Sequence, residues 1–120
     1  MLPAPHRLTH GGDIRRVVRT GRRSGGDLLV VHVLRHDRTD PARFGFVVGR
    51  VVGNAVVRHR VQRQFRHLCR ERLAVLPTGC EVVVRALPPA AAASYAELGA
   101  ELDRSLQRSL GHQQGTGRGR

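Results

Sequence analysis

Residues 44 to 63 have the sequence FGFVVGRVVGNAVVRHRVQR, which combines a strand, a glycine-containing turn and the start of a helix. The aromatic and β-branched residues at positions 44–48 predict the strand. Gly45 and Gly49 interrupt this pattern, which indicates close approach by another part of the chain or by a ligand. The helix that follows the turn is predicted from about Ala55 to Leu76, where Pro77 and Gly79 end it.

The predicted helix has one apolar face and one basic face. At about 100° per residue, six apolar side chains cluster on the side that would pack on a sheet: Val57, Val61, Phe65, Leu68, Cys69 and Leu76. Six basic side chains fall within an arc of roughly 120° on the other side: His59, Arg60, Arg63, Arg66, His67 and Arg70. Arg58 and Gln62 lie between the two faces.

This basic face lacks the acidic neighbours of an ordinary solvated helix. Glu71 is the only acidic residue between Asn54 and Leu76, whereas solvated helices usually interleave acids that form i,i+4 pairs. Like charges at this spacing destabilise an isolated helix by roughly 0.2–0.5 kcal/mol per pair. Phosphate groups would offset that repulsion, and a planar guanidinium group can bind two phosphate oxygens at once. The face therefore predicts contact with RNA or DNA.

The start of the helix adds a second feature that favours anions. Asn54 is the expected N-cap, so its side chain is partly occupied by the helix. The backbone N–H groups behind it, after the turn from Gly49 to Asn54, attract negative charge.

N-terminal to this stretch, the sequence predicts a helix, a turn and a strand. Asp13 could cap a short helix that ends before Gly21. Residues 22–27 predict a turn, with a short extended arm before it as an alternative. The run from Leu28 to Leu34 has His32 as its only polar residue and fits a central strand buried on both faces.

C-terminal to the basic helix, the sequence predicts a strand from Cys80 to Leu87 and a last helix. Ser94 and Glu97 form an S-x-x-E capping box, and the apolar residues after it fall on one helical face: Tyr95, Leu98, Leu102, Leu106 and Leu110. Residues 111–120 have no apolar pattern, and we expect them to form a disordered basic tail. The chain therefore predicts one α+β domain over residues 1–110, with helices packed on a mixed sheet.

The composition indicates a polyanionic partner. The 120 residues include 21 arginines and no lysine against nine acidic residues, which gives a formal net charge of +12. Nucleic acid is favoured over a membrane because the sequence has no 18-residue apolar run and no visible signal peptide, so we expect a cytoplasmic protein. Cys69 and Cys80 lack a paired-cysteine spacing, and we expect two buried thiols.

With these residues in view, the chain resembles the ribonuclease P protein family. The resemblance lies in the glycine-bearing strand, the Gly-Asn-Ala-Val sequence at residues 53–56 and the clustered basic residues that follow it. Arg7 and Leu8, the Asp13 helix, Gly21 and the strand at 28–34 agree with the flanks of the family pattern. The similarity covers about residues 7–110.

The resemblance implies a fold and a function. The fold would be a two-layer sandwich of order αβββαβα, whose mixed four-stranded sheet contains a left-handed βαβ crossover, against the general rule. The protein would bind the catalytic RNA of ribonuclease P and the 5′ leader of precursor tRNA, and the holoenzyme would cleave a phosphodiester to give the mature tRNA 5′ end. The RNA and its Mg²⁺ ions would carry the chemistry. The protein would contribute no catalytic residue and no tightly bound metal.

The resemblance also assigns two groups of site residues. The catalytic RNA would be contacted by the basic face and the turn before it, at Arg50, Asn54, Arg58, His59, Arg60, Gln62, Arg63, Arg66 and Arg70. A leader cleft would lie between the first helix and one face of the sheet, at Ile14, Val18, His32, Val47 and Gly49.

Several positions depart from the family pattern. His59 stands in place of an asparagine, Gln62 in place of a lysine, and Val51 in place of a second basic residue. Ile14 and Val18 replace aromatic residues that would stack on leader nucleotides, a contact of about 1–3 kcal/mol per base. We therefore expect RNA binding to be retained and leader affinity to be weaker than in relatives with those aromatics.

Other functions explain less of the sequence. An autonomous nuclease would need two convergent histidines, whereas the seven histidines are scattered and no metalloprotease, nucleophile-elbow or P-loop motif is present. A ribosomal or other structural RNA-binding protein would explain the charge but not the pattern of residues 53–63. DNA binding is less favoured because no helix-turn-helix spacing occurs.

Overall fold

Seven principal elements form the structure, a computed structural model that describes residues 7–8, 11–37 and 39–117, the last seven of them in backbone only. They are α1 (Gly11–Thr20), β1 (Arg22–Gly25), β2 (Leu29–Arg35), β3 (Arg43–Val47), α2 (Ala55–Glu71), β4 (Cys80–Ala86) and α3 (Tyr95–Gly117). Short 3₁₀ turns follow α2 at Leu73–Val75 and β4 at Pro88–Ala92. The predicted order αβββαβα is confirmed.

The four strands form one mixed sheet in the order β1-β2-β4-β3. β2 pairs antiparallel with β1 and β4, whereas β3 pairs parallel with β4. The parallel pair is connected through α2, as the βαβ unit requires, and the left-handed sense of that connection stays a prediction. At the β3 edge, the backbone N–H of Leu8 donates a 2.7 Å hydrogen bond to the carbonyl of Phe44.

The prediction of a turn over residues 22–27 was wrong for its first four residues, which form β1. The segment has no apolar pattern that would predict a strand, and contacts from distant parts of the chain order it instead. Arg108 donates hydrogen bonds to the Ser24 hydroxyl at 3.0 Å and to the Gly25 carbonyl at 3.1 Å. The buried Glu101 carboxylate accepts from the N–H groups of Leu28 and Leu29 at 2.7 and 2.8 Å. α3 therefore holds the β1–β2 hairpin in place.

Helices cover both faces of the sheet. Side chains alternate between the faces of each strand, and the larger core lies against α2 and α3, with Phe44, Phe65, Leu68, Leu98 and Leu102 fully buried. A smaller cluster on the opposite face contains Leu8, Val17 and Val83. α1 thus adds a partial third layer to the predicted two-layer sandwich.

Two local expectations for the N-terminal half are corrected by the structure. α1 begins at Gly11, so Asp13 lies in its first turn and is not its N-cap. Gly45 does mark a close approach, because a Cβ there would lie 3.1 Å from Cγ1 of Ile14. A Cβ at Gly49 would meet nothing within 4 Å, so the close approach expected there is absent from the described residues.

The predicted helix ends also differ from those observed. α2 ends at Glu71 instead of Leu76, and the Arg72 guanidinium turns to bind the Asp103 carboxylate of α3 at 2.5 and 3.1 Å. α3 continues through Gly117, past the start of the expected tail at residue 111. Residues 118–120 lie outside the described residues, and the domain boundary at residue 110 stays a prediction.

The capping box of α3 is confirmed and gives a stability prediction. The Ser94 hydroxyl accepts from the Glu97 N–H at 3.0 Å, and the Glu97 carboxylate accepts from the Ser94 N–H at 2.8 Å. Ser94→Ala removes one of these two bonds, so we expect the free energy of unfolding to fall by about 1 kcal/mol. Urea unfolding followed by circular dichroism would measure this loss. Ser94→Thr keeps the hydroxyl and should retain most of the stability, and equal losses in both variants would contradict the capping role.

Candidate nucleic-acid interface

The turn before α2 is closed by its own backbone. Val52 and Gly53 donate N–H groups to the carbonyls of Gly49 and Arg50, both at 3.1 Å. A Cβ at Gly53 would lie 2.9 Å from Cγ1 of Val57, so only glycine fits this position. The Asn54 side-chain oxygen accepts from the Val57 N–H at 3.0 Å, which confirms the predicted N-cap and leaves the side-chain NH₂ group as a donor.

The structure orients α2 as the sequence predicts. Val61, Phe65, Leu68 and Cys69 are buried against the core. The opposite side, called the basic face from here on, consists of His59, Arg60, Arg63, Arg66, His67 and Arg70. All six are exposed except Arg66, which is half-buried.

The side chains of the basic face lack carboxylate partners. Across residues 7–8, 11–37 and 39–110, no carboxylate lies within 4.0 Å of a guanidinium or imidazole nitrogen of this face. Glu71, the one acid nearby in sequence, instead accepts from the Tyr95 hydroxyl at 3.1 Å and lies 3.4 Å from Arg72. The charge of the basic face is therefore available to a polyanion.

Arg60 differs from the other arginines of the basic face. Its Nη2 donates to the carbonyl of Ala91, in the 3₁₀ turn after β4. A guanidinium group has five N–H donors, so this bond leaves others for a ligand. An alanine at position 60 would remove an internal bond together with a surface charge, which makes Arg63 and Arg66 the cleaner positions for mutation.

Four predicted RNA-contacting residues surround one open depression of about 290 Å³: His59, Gln62, Arg63 and Arg66. The other predicted residues lie around this centre. Arg50 and Asn54 are exposed at the turn before α2, Arg70 is exposed toward its C-terminal end, and Arg58 is half-buried. The Arg58 Nε atom is buried without a hydrogen-bond partner among the residues that the structure describes.

The predicted cleft residues lie on the other face of the sheet. Ile14 and Val18 of α1 and Val47 of β3 pack around the smaller core, each partly exposed. His32 lies on the same face of the sheet, two strands away from Val47. Gly49 is exposed beyond the end of β3 and does not belong to the packed cluster. The structure therefore brings four of the five predicted residues to the face that α1 covers.

Two arginines near His32 were missed by sequence analysis. Strand register places Arg23 of β1 directly opposite His32. Arg85 of β4 pairs with Val30, two residues before His32 on β2, and so lies on the same face of the sheet. Burial lowers the pKa of His32, and the charges of Arg85 and Arg23 lower it further, so the imidazole is neutral at pH 7. No local motif could have identified this group, because its members come from three strands.

A buried carboxylate fixes α1 over this face of the sheet. Glu81 of β4 is 1% exposed and accepts hydrogen bonds from His36 at 2.7 Å and Arg43 at 2.5 Å. Its Oε1 also lies 3.1 Å from Nη1 of Arg16 on α1. Burial alone would raise the pKa of Glu81, but the bonds to His36 and Arg16 outweigh it and hold the pKa below its ordinary value. Glu81 is therefore ionised at neutral pH.

The described residues contain little that would support another class of function. No group of three or more His, Cys, Asp or Glu residues there could hold a metal ion. No helix among the described residues is both long and apolar enough to cross a membrane. Cys69 and Cys80 are buried free thiols, as predicted, and burial raises the pKa of each.

The fold and the basic face define a small α+β protein with a surface suited to nucleic acid. Comparison with known proteins identifies the family, since the model of the family described as Ribonuclease P matches residues 2–110. A relative from Nocardioides sp., a "Ribonuclease P protein component", is 54% identical over 110 residues that cover 90% of this chain and 94% of its own. One with the same description from Streptomyces avermitilis is 52% identical over 120 residues, covering 92% and 97% of the two chains.

Two solved structures share the fold. The RNase P protein of Staphylococcus aureus superposes with a TM-score of 0.77 at 22% identity, covering 85% of this chain and 93% of its own. The RNase P protein of Thermotoga maritima gives a TM-score of 0.75 at 24% identity, covering 85% and 96%. The chain belongs to the ribonuclease P protein family, and it is a subunit of the ribonucleoprotein endoribonuclease that processes tRNA.

Proposed function

We propose that the chain binds the catalytic RNA of ribonuclease P through the basic face of α2 and holds the 5′ leader of precursor tRNA in the cleft between α1 and the sheet. One observation supports the first contact above all others: five of the six side chains of the basic face are exposed, and none of the six has a carboxylate partner in the described residues. A folded RNA supplies the phosphates that would neutralise it.

The side chains present indicate which steps would belong to the RNA and which to the protein. Hydrolysis of the phosphodiester would be carried out by the RNA with its Mg²⁺ ions. Arginines on α2 would neutralise RNA phosphates, which lowers the repulsion between the catalytic RNA and its RNA substrate. The complex would then need less Mg²⁺ for the same screening of charge. The protein would act in assembly and substrate binding, with no catalytic residue of its own.

The cleft has the properties of a site for single-stranded RNA. Ile14, Val18 and Val47 offer a partly exposed apolar wall, and His32 lies on the sheet face beside it. Apolar side chains can contact the faces of unstacked bases, and nearby arginines can contact the backbone. Because the wall is aliphatic instead of aromatic, base stacking would contribute less to leader affinity than in relatives with aromatic residues at these positions.

Reconstitution with a bacterial ribonuclease P RNA tests this function. Precursor tRNA would be incubated with protein alone, with RNA alone and with both, over a range of Mg²⁺ concentrations. We expect cleavage by the RNA, stimulation by the protein at low Mg²⁺, and no cleavage by the protein alone. Cleavage by protein alone would show an autonomous nuclease. Absence of both stimulation and RNA binding would favour a structural RNA-binding role elsewhere.

The cleft gives a prediction that can be tested in the reconstituted complex. Val18→Phe adds an aromatic ring to the exposed wall, and stacking on one base would strengthen leader binding by about 1 kcal/mol, or about fivefold. The quantity to measure is the ratio of the dissociation constants of mature tRNA and leader-bearing precursor. Val75→Phe, at an exposed position after α2, is the control and should leave the ratio unchanged. An unchanged ratio for Val18→Phe would remove Val18 from the leader contact.

A further inference from the structure

Strand register brings a cluster of nitrogen donors to the part of the α1-covered face nearest β1. Two rows of paired residues cross the sheet there, and each row runs from β1 to β3. One row is Arg23, His32, Val83 and Gly45, and the next is Gly25, Val30, Arg85 and Val47. α1 packs over Val83 and Gly45 at the far end of the first row, which leaves Arg23 at its β1 end. Arg85 lies in the second row, between Val30 and Val47.

The polar groups of this cluster lack internal partners. His32 is 2% exposed, and neither of its ring nitrogens has a hydrogen-bond partner among the residues that the structure describes. The buried Nε of Arg85 is likewise without a partner there. A buried polar group without a hydrogen bond is costly, and most such groups in proteins are satisfied by a neighbour or a ligand.

The charge of the cluster determines which ligand it fits. No carboxylate of the described residues lies within 4.0 Å of Arg23 or Arg85, and Glu81, farther along β4, is already bound by Arg16, His36 and Arg43. Two guanidinium groups beside an imidazole offer N–H donors and positive charge to an anion with several acceptor oxygens. A phosphate group has this chemistry.

We propose that Arg85, with Arg23 across the sheet and His32 beneath them, binds a backbone phosphodiester of single-stranded RNA in the cleft. This inference rests on the proposed function and deepens it by naming the part of the leader that is recognised. Arg85 lies directly opposite Val47, so the phosphate site continues the apolar wall instead of forming a separate surface. An open depression of about 430 Å³ lies on the β1 side, and Arg23, Gly25 and Val30 form part of its lining.

The site would supply leader affinity of a different kind from base stacking. Contacts to phosphates are independent of base identity and depend strongly on salt. We therefore expect leader binding by this chain to tolerate changes of leader sequence and to weaken steeply as the salt concentration rises.

The test uses the full chain assembled with ribonuclease P RNA. Arg85→Met and Arg23→Met keep an aliphatic side chain but remove the charge, and Arg22→Met is the matched control. Arg22 is an exposed arginine of the same strand as Arg23, but its pairing with Val33 places it on the opposite face. Urea unfolding would first show that all three variants fold.

We expect Arg85→Met to weaken binding of leader-bearing precursor about tenfold relative to mature tRNA. Precursors with one neutral methylphosphonate in the leader should then identify a single phosphate whose neutralisation weakens binding to the wild type but not to Arg85→Met. Equal losses for precursor and mature tRNA, or no methylphosphonate position that depends on Arg85, would overturn the inference. The same loss in Arg22→Met would overturn it as well.

A measurement on the protein alone separates this site from the wider function. A single-stranded oligonucleotide, inorganic phosphate and a glutamate-rich peptide would each be titrated while the NMR signals of the His32 ring are followed. A response to the oligonucleotide that Arg85→Met abolishes supports the phosphodiester site, even if the reconstituted complex showed no leader preference and so refuted the proposed function. A response to phosphate alone or to the peptide alone would overturn it.

Discussion

Replacing Arg63 and Arg66 by alanine is expected to weaken binding of ribonuclease P RNA by about a hundredfold at moderate salt. The two side chains line the same depression on α2 and have no carboxylate partner in the described part of the chain. Each charge-assisted contact is worth about 1.5 kcal/mol, so two contacts give about 3 kcal/mol, or about two decades in the dissociation constant. Loss of two phosphate contacts should also lower the slope of log affinity against log salt by about two units.

The matched control is the double variant Arg22→Ala with Arg104→Ala. It removes the same net charge from β1 and α3, away from the basic face. If the effect came only from the overall charge of +12, both double variants would lose affinity equally. A salt slope that stays the same in the Arg63 and Arg66 variant would remove these residues from the RNA interface.

Replacing Glu81 by alanine is expected to lower the free energy of unfolding by about 2–3 kcal/mol. Removing one partner of a fully buried ion pair costs about 3–5 kcal/mol, because it leaves a buried charge without compensation. Here the basic partners Arg16, His36 and Arg43 keep 26–35% of their side-chain surface exposed, so water would replace part of the lost contact. For a domain of this size the change corresponds to a decrease of about 10 °C in the melting temperature.

The stabilisation by Glu81 should also depend on pH. Its pKa is lower in the folded chain than the ordinary value of 4.5. A carboxylate with a lowered pKa stabilises the fold fully above its unfolded pKa, and the stabilisation is lost as the pH falls through the folded value. We therefore expect wild type and Glu81→Ala to differ most at neutral pH and to converge below pH 4.5.

Urea unfolding between pH 3 and pH 7 would measure this difference. Asp37→Ala removes an acid from an exposed position and should leave the stability nearly unchanged. A constant difference between wild type and Glu81→Ala across this range would show that the carboxylate acts through packing and not through charge. Because Arg16 ties α1 to Glu81, the variant should also weaken leader binding more than binding of the catalytic RNA.

The strongest sequence predictions were those that depend on neighbours a few residues apart. The basic face and the apolar face of α2 follow from its helical period, and the N-cap at Asn54 and the capping box at Ser94 were found where expected. The weaker predictions depended on contacts from distant parts of the chain. The residues of β1 have no pattern that predicts a strand, and contacts from α3 hold β1 in place. α2 stops before Leu76, and Arg72, just after its end, binds Asp103 of α3.

The sequence by itself determined the three helices, three of the four strands, the family and the charged side of the middle helix. These properties are encoded in local spacing, in composition and in a continuous motif. Only the tertiary structure decided which side chains meet across the sheet, including Arg23 with His32, Arg85 with Val47, and Glu81 with Arg16. The physical reason is that strand register and the packing of α1 join residues from separate elements, and a slip of one residue in a strand would turn each of its side chains to the opposite face.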